Sequence, residues 1–126
     1  MTWLAVATGG ALGSLARHAV NVVVARTLGS PSPISTAIVN IVGCAVIGVL
    51  AGLIASNALR ATPSMRAFVF VGVLGGFTTF SSFGLDTLTL AHEGRTTVAV
   101  ANVAVQVIAG IGAVFIGYNV ALTFRP

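Results

Sequence analysis

The stretch 75-GGFTTFSSFG-84 decides how this chain is read. Two glycines followed by hydroxyl and aromatic residues would ordinarily mark a loop in water. Yet it lies between "FVFVGVL" (68–74) and "LDTLTLA" (85–91), which carry a single charge between them. Gly75 and Gly76 each weaken a helix by roughly 1 kcal/mol relative to alanine. Thr78, Thr79, Ser81 and Ser82 compete with the helix for backbone hydrogen bonds. The pattern predicts a membrane helix over 67–90 that breaks at its centre. Such breaks are tolerated at membrane depth only where protein buries them or water reaches them, and their freed carbonyls and helix ends make ion sites.

Outward from that stretch, the composition agrees with a membrane solvent. The chain has 126 residues, 56% of them hydrophobic and 6% charged, with a mean hydropathy of +1.05; soluble domains carry about 25% charged residues. A span needs about 20 mostly apolar residues. Four stretches supply them, at about 3–24, 34–56, 67–90 and 98–124. The expected fold class is an all-α membrane protein, one four-helix transmembrane domain over 1–126 with a broken third helix. The first apolar run lacks a basic leader region and is too long for a signal peptide, so it reads as a retained span. Cys44, the lone cysteine, excludes an intrachain disulfide.

All six basic residues are arginines, and the net charge is +4. They are scattered, which speaks against nucleic acid as a partner. Arg60, Arg66 and Arg125 fall on one face of a four-span chain; Arg26, Arg95 and, by snorkelling, Arg17 fall on the other. Three against three leaves the positive-inside rule little to act on. Insertion in both orientations and pairing with an inverted copy are therefore expected.

Polar and small residues recur every four positions on three spans, which places each set on one helix face. They are Gly9, Gly13, Arg17 and Asn21; Thr36, Asn40, Cys44, Gly48 and Gly52; and Asn102, Gln106 and Gly110. Glycine faces allow close helix approach, and a buried arginine needs water or a partner. Beyond the break, Phe80 and Phe83 share a face, as do Thr79, Ser82 and Phe83. Hydroxyl donors beside aromatic ring edges suit a small anion, because both present positive charge to it.

"GGALGSLAR" (9–17), "TAIVNIVG" (36–43) and "GGFTTFSSF" (75–83), in this order, resemble the CrcB/Fluc family of bacterial fluoride channels. The resemblance covers the first three spans. It implies an antiparallel dual-topology dimer in the bacterial inner membrane, with two fluoride pores and passive export of cytoplasmic fluoride. It also implies a structural sodium ion held by the backbone carbonyls of Gly75 and Thr78 from both subunits. Phe80 and Phe83 would line the pores, Asn40 would be the second-span amide donor, Thr79 and Ser82 hydroxyls near the track, and Arg17 a vestibule residue. Asp86 would be a vestibule residue or a partner for Arg17.

The chain also departs from that family. No Ser or Thr occurs between Thr97 and Thr123; the family's fourth-span hydroxyl places fall on Gly110 and Val114, with Gln106 and Tyr118 as candidate substitutes. Ser82 stands where threonine is common, and Ser35 where glycine is. A heterodimeric partner subunit is therefore an alternative reading. A proton-coupled multidrug exporter would need a carboxylate in the first span, which has none. An enzyme would need a nucleophile with a base or a metal-ligand spacing; His18 and His92, at the ends of separate spans, offer neither.

Overall fold

The structure, a computed structural model, describes residues 2–29 and 33–124. Arg125, and residues 30–32 of the first connection, lie outside the described residues. The order is α1 (Thr2–Leu28), α2 (Pro33–Ala55), a short α3 (Pro63–Arg66), a π-helical stretch (Ala67–Leu74), α4 (Gly75–Phe77), α5 (Phe80–His92) and α6 (Thr96–Leu122). No strand occurs among the described residues.

Three helices are long and apolar enough to cross a membrane: Pro33–Ala55, Pro63–His92 taken through its internal changes of winding, and Thr96–Leu122. The chain is a multi-pass membrane protein. α1 has 27 residues but is not in that set, because Thr8, Ser14, Arg17, His18 and Asn21 dilute its hydropathy. By this measure four expected spans become three. Large apolar side chains such as Ile108, Ile111, Phe115 and Ile116 stand exposed on α6, an arrangement that water would penalise and lipid does not.

Local signals account for the helix ends. Thr62 caps α3 by accepting from Met65 N at 3.2 Å, with Pro63 at the first helical position. α2 ends at a left-handed Asn57 with φ 61°, and the turn from α5 to α6 uses Gly94 at φ 75°.

Packing rests on two close helix pairs. α1 lies against the π-stretch and α4, and α2 lies against α6. A Cβ added to Gly72 would sit 2.9 Å from Gly9 Cα, and one on Gly76 would sit 2.6 Å from the Gly10 carbonyl oxygen. On the other pair, a Cβ on Gly48 would approach Val114 Cα to 2.9 Å, and one on Gly117 the Ala45 oxygen to 2.7 Å. Glycine is what lets these backbones touch. Beyond Phe80 the third element changes neighbours, and α5 packs on α6 and α2 instead of α1.

The winding of that third element differs from expectation in two places. Gly75 and Gly76 remain helical: Gly76 admits the Gly10 backbone of α1, whereas a Cβ on Gly75 would meet only the Phe70 oxygen, at 3.8 Å, and Gly75 has φ −64° and ψ −34°. The extended residues are Thr78 (φ −81°, ψ 159°) and Thr79 (φ −153°, ψ 111°). The eight-residue π-stretch before them has no counterpart in the sequence reading.

Candidate functional site

The extended pair is held by side chains from other helices. Thr79 N donates to Asn40 Oδ1 at 2.8 Å, and Asn40 Nδ2 donates to Thr79 O at 3.1 Å. Asn40 thus replaces the backbone acceptor that an α-helix would give Thr79 N and adds a second donor to Thr79 O, which as the N-cap carbonyl opens the α5 ladder. Thr78 N and Thr78 Oγ1 both donate back to Leu74 O, at 3.0 and 2.9 Å. Arg17 Nη1 donates to Thr78 O at 3.3 Å.

α5 then starts on Thr79, whose Oγ1 accepts from Ser82 N at 3.2 Å and donates to Ser82 Oγ at 3.0 Å. This N-cap leaves the Ser82 hydroxyl with its own proton to donate. The helix dipole adds partial positive charge at the same end. Phe80 and Phe83 lie with ring centroids 5.4 Å apart and planes inclined by 55°. Phe83 is half-buried, whereas Phe80 is 82% exposed.

A cavity of about 370 Å³ opens beside this junction. Its walls include Asn40, Gly75, Thr78, Thr79, Phe80, Phe83 and Gln106. Of the residues named from sequence, Ser82 and Arg17 lie outside its lining, although each is one hydrogen bond from it through Thr79 and Thr78. Asp86 is not paired with Arg17; its Oδ2 accepts from Thr36 Oγ1 at 2.6 Å. Thr36 lies one helical turn from Asn40 on α2, which places this carboxylate at the same face, satisfied by a hydroxyl.

Gln106 is the residue that sequence reasoning undervalued. It is 8% exposed, accepts from Asn40 Nδ2 at 2.8 Å and donates to Asn102 Oδ1 at 2.9 Å. The four-residue spacing of Asn102 and Gln106 was the available signal. Gly110 faces Cys44, and the Val114 backbone packs against Gly48; both places serve the α2–α6 contact. Tyr118 does not line the cavity, and its carbonyl packs against Gly52 at the far end of that pair.

The carbonyl oxygens suit a hard cation of the sodium kind. Gly75 O has lost its α-helical donor, since Thr79 N is turned to Asn40. Thr78 O has likewise lost Ser82 N to the Thr79 cap, but it accepts from Arg17 Nη1 at 3.3 Å and has one lone pair left to offer. Oxygens freed by unwinding are the donors such ions take. No cluster of His, Cys, Asp or Glu that could hold a metal occurs among the described residues.

A cavity lined by Asn40, Thr78, Thr79 and Gln106, where the helical winding is interrupted in a multi-pass membrane protein, defines the class, one suited to a small polar solute. Residues 4–118 match the family model described as CrcB-like protein, Camphor Resistance (CrcB), and the chain belongs to that family. It is 45% identical over 115 residues to the fluoride-specific ion channel FluC of Methylobacillus flagellatus, covering 90% of this chain and 89% of that one. With FluC of Rhodospirillum centenum the identity is 46% over 114 residues, 90% of each chain. With FluC 2 of Nitrobacter hamburgensis it is 46% over 95 residues, 75% of this chain and 76% of the other. These relatives are channels of bacteria by name, not enzymes.

Proposed function

We propose that this chain forms a fluoride-selective channel that lets cytoplasmic fluoride leave the bacterial cell by passive electrodiffusion. The observation that carries this reading is the junction at Thr78 and Thr79, where the α5 N-terminus, two amides and the paired rings of Phe80 and Phe83 meet one cavity. Fluoride is small and strongly hydrated, so a selective path must replace water with donors. Amide and hydroxyl protons donate directly, and ring edges carry the positive part of the aromatic quadrupole. Asp86, the acid on this face, is engaged by Thr36, which softens the one repulsive group.

In this reading α1 is a fourth span, the third is broken at membrane depth at Thr78–Thr79, and two copies pair antiparallel. The balanced arginines favour both insertions, and the 82% exposure of Phe80 beside the cavity leaves a wall for a second copy to complete. The carbonyls of Gly75 and Thr78 would hold sodium at that junction. A buried cation there raises the local potential for an anion.

The second reading, a partner subunit of a heterodimer, is favoured by α6. No Ser or Thr stands between Thr97 and Thr123, and Gly110 and Val114 are packing residues. Liposomes containing only this chain separate the two. Fluoride efflux without chloride efflux or proton coupling supports the channel, and flux appearing only when a homologue is added supports the partner. Phe80→Ile or Phe83→Ile should slow fluoride flux about tenfold or more, the scale of one lost interaction with a charged group, with the assembly intact. Unchanged flux in both would remove the aromatic lining from the path.

A further inference from the structure

We propose that Gln106 supplies the donor on the α6 wall, and that a one-way hydrogen-bond chain beginning at the Thr79 backbone holds it in the donating orientation. The proposal rests on the channel reading above. A backbone N–H can only donate, so the Asn40 atom facing Thr79 N must be Oδ1, 2.8 Å away. That turns Nδ2 toward Thr79 O at 3.1 Å and Gln106 at 2.8 Å, which commits both of its hydrogens. Asn40 has no proton left for an ion.

Gln106 must therefore present Oε1 to Asn40, and its Nε2 donates to Asn102 Oδ1 at 2.9 Å. Asn102 Nδ2 donates to Thr87 Oγ1 at 2.9 Å, and Thr87 donates to the Phe83 carbonyl at 2.8 Å. The chain begins at a backbone donor and ends at a backbone acceptor. No amide within it can flip without setting donor against donor and acceptor against acceptor, and an unmatched buried polar group is expensive.

The consequence falls on the second Nε2 hydrogen of Gln106. It has no partner among the described residues, and its side chain is 8% exposed on the wall shared with Phe80 and Phe83. Reversed, the same side chain would show an anion its oxygen. Chain polarity thereby makes this wall select for negative charge. Gln106 becomes the ion-contacting amide, and Asn40 and Asn102 are positioning residues.

Gln106 is the chain's only glutamine, so nitrogen-15 glutamine labelling of the purified full-length protein gives one side-chain amide pair. Sodium fluoride should shift one of the two Nε2 protons saturably and leave the proton bound to Asn102 nearly still, and sodium chloride should move neither. Asn40→Asp keeps an acceptor for Thr79 N but offers a second acceptor to Gln106. It should turn the glutamine over, move both resonances and abolish the fluoride response. In liposomes Gln106→Leu should lower fluoride flux about tenfold or more, the effect of losing a hydrogen bond to a charged group. A fluoride-conducting wild type whose Gln106 amide ignores fluoride, or a Gln106→Leu channel with wild-type flux, overturns the proposal alone. A wild type that passes no fluoride takes the channel reading down with it.

Discussion

The two halves of the third helical element are fastened by different physics. Up to Phe77 it lies against α1 through backbone contact, with Gly72 on Gly9 and Gly76 on Gly10. From Thr79 onward it is tied to α2 and α6 by directed bonds from Asn40 and from Asn102 through Thr87. The first attachment specifies distance and tolerates no added atoms. The second specifies orientation and depends on which atom of each amide faces which partner. Close approach suits a scaffold, whereas directed bonds suit the half that must present charge-bearing groups at fixed angles.

Breaking the scaffold half should have the largest effect. Gly72→Val would drive atoms into the Gly9 backbone, where no side chain can move aside. Overpacking of this kind costs about 1–3 kcal/mol and at times more, so the purified protein should lose its melting transition or show it many degrees lower. Asn40→Ala probes the directed half. It leaves Thr79 N without a partner and takes one of two donors from Thr79 O, a loss of about 1–3 kcal/mol. Hydrogen exchange at Thr79 should accelerate while the amides of the π-stretch keep wild-type rates; equal acceleration in both halves would mean that they are one cooperative unit. The smallest effect belongs to Gly112→Ala, where an added Cβ meets nothing within 4 Å. Helix propensity alone should raise stability by up to about 1 kcal/mol, and marked destabilisation would mean that this face of α6 is occupied by something else.

Hydropathy made the long helices legible, since apolar runs of span length have few other uses. The observed Pro33–Ala55 and Thr96–Leu122 lie within two residues of the expected 34–56 and 98–124. The faces bearing Gly9, Gly13, Gly48 and Gly52 were legible for the same local reason, their four-residue period. What escaped was set by contacts across sequence. Gly75 and Gly76 look like the weak point, yet the chain leaves the helix at Thr78 and Thr79, where Asn40, 39 residues from Thr79, supplies the alternative partner of Thr79 and Arg17 bonds Thr78 O. Asp86 has a natural mate in Arg17 by charge, but the fold gives it Thr36. Nothing local in Gln106 announces that its oxygen is taken and its nitrogen half free.

The wide coil of Ala67–Leu74 has a mechanical consequence. A ladder of i→i+5 bonds turns the chain through less angle per residue than α winding does. The bearing on which Thr78 and Thr79 emerge is therefore calibrated across eight residues upstream of them. Respooled at the tighter pitch, the same sequence would keep its seam with α1 only by swinging the threonines off Asn40 and Arg17. Deleting one residue there would act as a change of heading for everything downstream.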